Sequence, residues 1–125
     1  MSPDYSADLE RLRAIALALP ECAERESHGA PGFHIENGKF YAYFWHNHHG
    51  DGETAVIVKT SGPDEQAMLI EADPDFYYKP AYLGAYGWIA MRVGEDDTDW
   101  DRVGDRVAAS WEMVAPARLL EAGGR

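Results

Sequence analysis

Apolar residues first recur at helical spacing. Leu9, Leu12, Ile15, Ala16 and Leu19 form one stripe, and Arg11 and Arg13 lie off it. Ser6 stands where an N-cap would, and Pro20 ends the pattern. From Pro20 to Gly32 the polarity is mixed, with two Gly and two Pro, so this segment reads as a connection crossing the surface.

The period then drops to two. Phe33-His34-Ile35-Glu36 alternates, Asn37-Gly38 is the pair favoured by a type I′ turn, and Lys39 to Trp45 is rich in β-formers. This predicts a hairpin. A polar loop, His46 to Glu53, leads to a third strand from Thr54 to Thr60. Pro63, Asp64 and Glu65 suit the first turn of a short helix, with Met68 and Leu69 facing the core and Asp73-Pro74 stopping it. An aromatic stretch follows, Phe76 to Tyr86, punctuated by Pro80 and Gly84, and it reads as packing over the sheet edge. Trp88 to Val93 is a fourth strand. The last helix starts near Thr98, read as its cap with Asp101 at the capping-box position. It buries Trp100, Val103, Val107, Trp111 and Val114, and Pro116 ends or kinks it before Leu119 and Leu120.

Helix, meander, short helix, strand and helix together predict an α+β fold, a two-layer sandwich of antiparallel sheet with the helices packed on one face. No repeat or linker interrupts the chain, and 125 residues suit a single domain, 1–125. A hydrophobic content of 46% supplies a core without metals or disulfides. Cys22 is the one cysteine, which excludes an internal disulfide and a CxxC site. Met1-Ser2-Pro3-Asp4 lacks the basic and then apolar regions of a signal peptide, and no apolar run approaches a membrane span. The chain reads as cytoplasmic. Its net charge of -11 opposes polyphosphate at long range, so only a locally basic face would suit nucleic acid.

Several blocks together resemble the MmcQ/YjbR family. They are His28-Gly29-Ala30-Pro31-Gly32-Phe33, Gly38-Lys39-Phe40-Tyr41-Ala42, Lys59, Ala72-Asp73-Pro74, Pro80-Ala81-Tyr82-Leu83-Gly84, Gly87-Trp88-Ile89, Asp99-Trp100 and Trp111 through Ala115-Pro116-Ala117-Arg118-Leu119. The resemblance runs from about Leu9 to Leu119. It implies a fold similar to bacterial frataxin-like (CyaY-like) proteins, a double-wing motif commonly labelled DNA-binding, and no accepted catalytic residues. One common branch carries Lys, Arg and His before the strand Trp, where this chain has the uncharged Gly84-Ala85-Tyr86-Gly87.

Strand alternation nominates a site. With Phe40, Ala42 and Phe44 inward, Lys39, Tyr41, Tyr43 and Trp45 face out; Ala55, Ile57 and Lys59 join them, as do Trp88, Ala90 and Arg92. Three of the eleven Lys and Arg then share one aromatic face, a stacking platform for single-stranded nucleic acid or a flat ligand. Lys39, Tyr41, Tyr43, Lys59, Trp88 and Arg92 are the candidate binding residues. The same face also suits a homodimer or self-covering by residues 75–86. A competing expectation is a small-molecule binding or resistance protein, with a pocket under Tyr77, Tyr82, Tyr86 and Trp88.

Other chemistry is thin. His46, His48, His49 and Asp51 are metal-ligand types, but adjacent residues on a polar loop read as solvated. Glu95, Asp96, Asp97, Asp99 and Asp101 sit where carboxylates favour a helix start. Cys22 and His28 are a conceivable nucleophile and base, with a packed thiol the simpler reading. There is no G-x-S-x-G elbow, phosphate loop or HExxH. The expectation is a non-enzymatic binding or regulatory module with no cofactor, no metal and no membrane partner.

Overall fold

The computed structural model describes residues 5–121. Their order is α1 (Ser6–Ala16), β1 (Cys22–Ser27), β2 (Ala30–Ile35), β3 (Phe40–His46), β4 (Thr54–Val58), α2 (Pro63–Ala72), β5 (Tyr77–Tyr78), a 3-10 turn (Leu83–Tyr86), β6 (Ile89–Arg92), α3 (Trp100–Val114) and α4 (Ala117–Glu121). The strands form one open sheet in the order β1-β2-β3-β4-β6-β5, and every pairing is antiparallel. No helix among the described residues is long and apolar enough to cross a membrane.

One face of the sheet carries the main core. Phe33, Phe44, Val56, Val58, Ile89 and Met91 meet Leu12 and Ala16 of α1 and Val103, Val107 and Trp111 of α3. Periodicity in the sequence identified both helical stripes. Burying a ring the size of Trp111 is worth about 4–6 kcal/mol as area removed from water; its indole N–H still finds the Pro20 carbonyl at 3.2 Å.

β1, the start of β2 and β5 (in the aromatic stretch from Phe76) arise where the sequence suggested other structure. The segment read as a surface connection folds into β1 and the start of β2, closed by His28-Gly29 with φ of 52° and 80°. Both residues of such a two-residue turn need positive φ, which Gly29 adopts freely. β1 is polar because it is an edge strand, paired on one side only. The Asn37-Gly38 hairpin forms, but not as the expected type I′ turn. Glu36, Asn37 and Gly38 connect Ile35 to Lys39, and Asn37 alone of the pair takes positive φ, at 59°.

Cap positions also move. Tyr5 precedes α1 with its ring 4.2 Å from that of His46, so Ser6 is the first helical residue rather than the cap. At α3 the cap is Asp99, whose carboxylate accepts from the Arg102 amide at 3.1 Å, while the Thr98 hydroxyl donates to the Glu95 carbonyl. In α2 Gln66 is buried and Leu69, as expected, packs partly buried against the core with Ile70, whereas Met68, also expected there, is 59% exposed.

Candidate binding pocket on the outer face of the sheet

The pairing of β2 with β3 shifts by one residue: Phe33 lies opposite Ala42, but His34 lies opposite Phe40. Tyr41 is the extra residue of a β-bulge, and a bulge reverses the side-chain alternation beyond it. Tyr41 therefore turns inward and is fully buried, its hydroxyl 3.1 Å from both the Ala16 carbonyl oxygen and Cys22 Sγ. Burial pushes its phenol well above the ordinary range. The outward placement expected of Tyr41 is corrected accordingly, and Phe40 takes the outer position. Beyond the bulge the expected parity stands: Tyr43 and Trp45 face outward with Ala55, Ile57, Trp88 and Ala90.

The cations on this side are dispersed. Lys59 Nζ lies over the Trp88 ring at 5.8 Å. Arg92 pairs with Ala55, four residues along β4 from Lys59, or roughly 13 Å at the rise of an extended strand. Its guanidinium lies 4.5 Å from the centroid of the Tyr78 ring and 2.9 Å from Glu53, and it also donates to the Pro74 and Asp75 carbonyls. Lys39 sits on the β2–β3 connection, in a groove with Glu21, Glu36 and Arg118. What the sheet does assemble is a ladder of rings. Phe40 and Tyr43 stack at 5.3 Å, Tyr43 meets Trp88 at 5.6 Å, and Arg25 covers Phe40 at 4.9 Å. Gly32 is the floor of that ladder, where a Cβ would come within 2.7 Å of the Phe40 ring.

Beside the ladder lies a concavity of about 470 Å³, lined by Ser27, His28, Tyr43, Trp45, His48, His49, Tyr82 and Leu83. Four segments build it. The end of β1 supplies Ser27 and the turn after it His28, and β3 supplies Tyr43 and Trp45. In the loop after β3, His48 stacks on Trp45 at 5.2 Å and His49 meets the same ring edge-on at 4.8 Å. The chain between β5 and β6 supplies the last wall, with Leu83 packed against a small outer core of Ala30, Trp45, Ala55, Ile57 and Ala90. The outer face is thus partly covered by its own chain.

Tyr82 completes this wall in a strained conformation. Its φ is 61° and ψ -64°, and the Leu83 amide donates to the Ala81 carbonyl at 2.6 Å. That is a γ-turn of the rare positive-φ kind. The ring is 79% exposed and stands 5.2 Å from His49. Strain of this type persists only where surrounding structure holds it, and it recurs at ligand-contacting positions. Here Gln66 provides the hold, its amide donating to the Gly84 carbonyl within the 3-10 turn and to the Trp88 carbonyl just after it.

The lining is mostly apolar and holds no Lys or Arg. Burial holds the His48 imidazole below its ordinary value, His49 and His28 add to the effect, and Asp51 opposes it. Burial raises the Tyr43 phenol, with the Ser27 hydroxyl bond and Arg25 acting the other way. Cys22 and His28, weighed as a pair, are not brought together: Cys22 packs against the helix-side core, whereas His28 lines this pocket. Among the described residues no three His, Cys, Asp or Glu side chains are grouped to hold a metal ion. Two larger hollows, about 580 and 570 Å³, are lined chiefly by charged and backbone groups at the α3 start and beside α4.

Of the aromatic pocket expected under Tyr77, Tyr82, Tyr86 and Trp88, only Tyr82 lines the concavity. Tyr77 faces the helix-side core, Tyr86 is 80% exposed, and Trp88 belongs to the ladder. Ser27, Arg25, Phe40 and Leu83 were missed, and His48 and His49, expected to be solvated, pack on Trp45 and line the concavity. Arg25 lay in a segment read as loop, and Phe40 was hidden by the bulge.

The YjbR family model matches residues 17–113 of this chain. Among solved structures the chain is similar to protein DR2400 of Deinococcus radiodurans, described with family-model domain DUF419. The two are 16% identical with a TM-score of 0.67, over 94% of this chain and 88% of that one. At that identity the likeness concerns the fold, an antiparallel sheet with helices on one side. No curated protein matches the chain.

Proposed function

This chain belongs to the YjbR family, and on that premise we propose that it is a non-enzymatic binding module for a flat, ring-containing small molecule. The observation that carries this reading is the concavity of about 470 Å³ walled by Tyr43, Trp45, His48, His49 and Tyr82. Its size lies in the range of small-molecule sites, and its rings offer faces for stacking. The Ser27 hydroxyl is engaged with the Tyr43 phenol, which argues for a structural polar group and against a poised nucleophile.

A second reading, single-stranded nucleic acid, is favoured by the ladder of Phe40, Tyr43 and Trp88 with Arg25 and Lys59 at its ends. Stacked bases tolerate such a platform. The net charge of -11 and the engagement of Arg92 by Glu53 weigh against it.

One experiment separates the readings. Amide and aromatic NMR shifts are followed while quinoline or an oligo-dT strand is added at low salt. The pocket reading expects quinoline to move Tyr43, Trp45, His48, His49 and Tyr82. If quinoline moves none of them, and oligo-dT shifts Phe40, Trp88 and Lys59 in a salt-dependent way, the small-molecule reading falls.

A further inference from the structure

We infer that the pocket selects organic cations: its ligand is a flat or compact molecule bearing a fixed positive charge, such as a quaternised heteroaromatic. This rests on the pocket reading above and narrows it to a ligand class.

The argument starts from where the chain spends its own cations. Arg25 covers Phe40, Lys59 covers Trp88, Arg92 covers Tyr78, Arg102 covers Phe76 and Arg11 covers Trp100. Among the described residues, the pocket rings Tyr43, Trp45 and Tyr82 have no such guest, although they are the ones that surround a void. An electron-rich ring face attracts a cation within about 6 Å of its centroid, and most strongly where water is excluded. Phe40 stacks on Tyr43 and His48 on Trp45, while Tyr82 is 79% exposed; the ring surfaces left toward the concavity hold no Lys or Arg and can receive a cation from a ligand.

Charge at longer range agrees. No Lys or Arg lines the pocket, so an anionic ligand would meet no counter-ion there. Asp51, in the same loop as His48 and His49, puts a negative charge where it acts on His48, and the whole chain carries -11. A field of that sign concentrates cations near the surface and repels anions. Arg25 acts on the Tyr43 phenol from the ladder side. Its guanidinium already covers Phe40 at 4.9 Å.

The test uses three probes of nearly one shape: N-methylquinolinium, quinoline and quinoline-2-carboxylate. Each is titrated into the intact chain by calorimetry at pH 7.5, and NMR locates the binding. The cation is expected to bind about tenfold more tightly than quinoline, with the carboxylate weakest. Equal or tighter binding of quinoline at the pocket overturns the cation assignment and leaves the binding-module reading standing. Failure of all three to perturb the pocket overturns both. A second variant guards against a purely steric account. Tyr82→Leu keeps an apolar wall on an exposed residue but removes the ring face. It is expected to lose most of the cation's advantage while changing quinoline affinity little, and an equal loss for both probes overturns the inference.

Discussion

The side-chain amide of Gln66 donates to the Trp88 carbonyl oxygen at 2.6 Å, and through its second hydrogen to Gly84 at 2.8 Å, tying α2 to the segment that walls the pocket. Gln66 is only 6% exposed, so its partners have little access to water. Gln66→Leu strands two carbonyls at a cost of about 1–3 kcal/mol. The expected result is a lower urea midpoint with unchanged slope, and weaker quinoline binding because Tyr82 loses its support.

Ser110 makes a comparable bridge beneath the bulge. Its hydroxyl donates to the Tyr41 carbonyl at 2.6 Å and accepts from the Lys59 amide at 2.9 Å. The regular ladder between β3 and β4 ends one pair earlier, at Ala42 and Val58. Ser110→Ala is expected to destabilise by about 1–3 kcal/mol and to speed hydrogen exchange of the Lys59 amide selectively. An unchanged exchange rate there would show that another group serves these atoms.

Gly32→Ala tests the ring ladder. The added Cβ would lie 2.7 and 2.9 Å from Phe40 carbons and 3.1 Å from a Tyr43 carbon. The Phe40 ring must shift, at a cost of about 1–3 kcal/mol. Large changes in the aromatic shifts of Phe40 and Tyr43 are expected, with the His48 and His49 signals little altered.

Tyr82→Gly separates stability from binding. Glycine relieves a γ-turn strain of about 1–3 kcal/mol and adds unfolded-state entropy worth about 0.5–1 kcal/mol. The unfolding midpoint should hold or rise while affinity for N-methylquinolinium falls about tenfold. A clear fall in the midpoint would contradict the strain assignment.

Acid should weaken both the fold and the site through His48. Its folded pKa lies below the ordinary value near 6.5, so between the two values the unfolded chain binds more protons. Stability therefore falls as pH drops below 6.5 toward the depressed value, and is insensitive to this group above it. A cationic probe should lose affinity over the same window, because a proton on His48 adds a like charge beside it. An NMR titration of the His48 ring checks the sign, and His48→Asn should flatten this part of the profile.

The α1 and α3 stripes, the central strands and the outward direction of Tyr43, Trp45, Ile57, Trp88 and Ala90 were legible because each follows a simple period set by local geometry. The candidate set was legible only in part. Tyr43, Lys59 and Trp88 lie on one ring-bearing face. Tyr41 is buried, Lys39 is on a turn, and Arg92 is occupied by Glu53. One inserted residue caused the first of these departures, since alternation carries no memory across a bulge. The others depend on partners distant in sequence.

From its residues alone, the chain specifies which faces are apolar, hence an α+β sandwich, since burial of those stripes drives the layers together. Folding decided which rings surround a void. His28, the Trp45–His48 stretch and Tyr82 come from three separated segments, and neither the distances between them nor the strain at Tyr82 follow from any local pattern. They follow from the register of β2 on β3, from a γ-turn held by Gln66, and from the stacking of the loop histidines on Trp45.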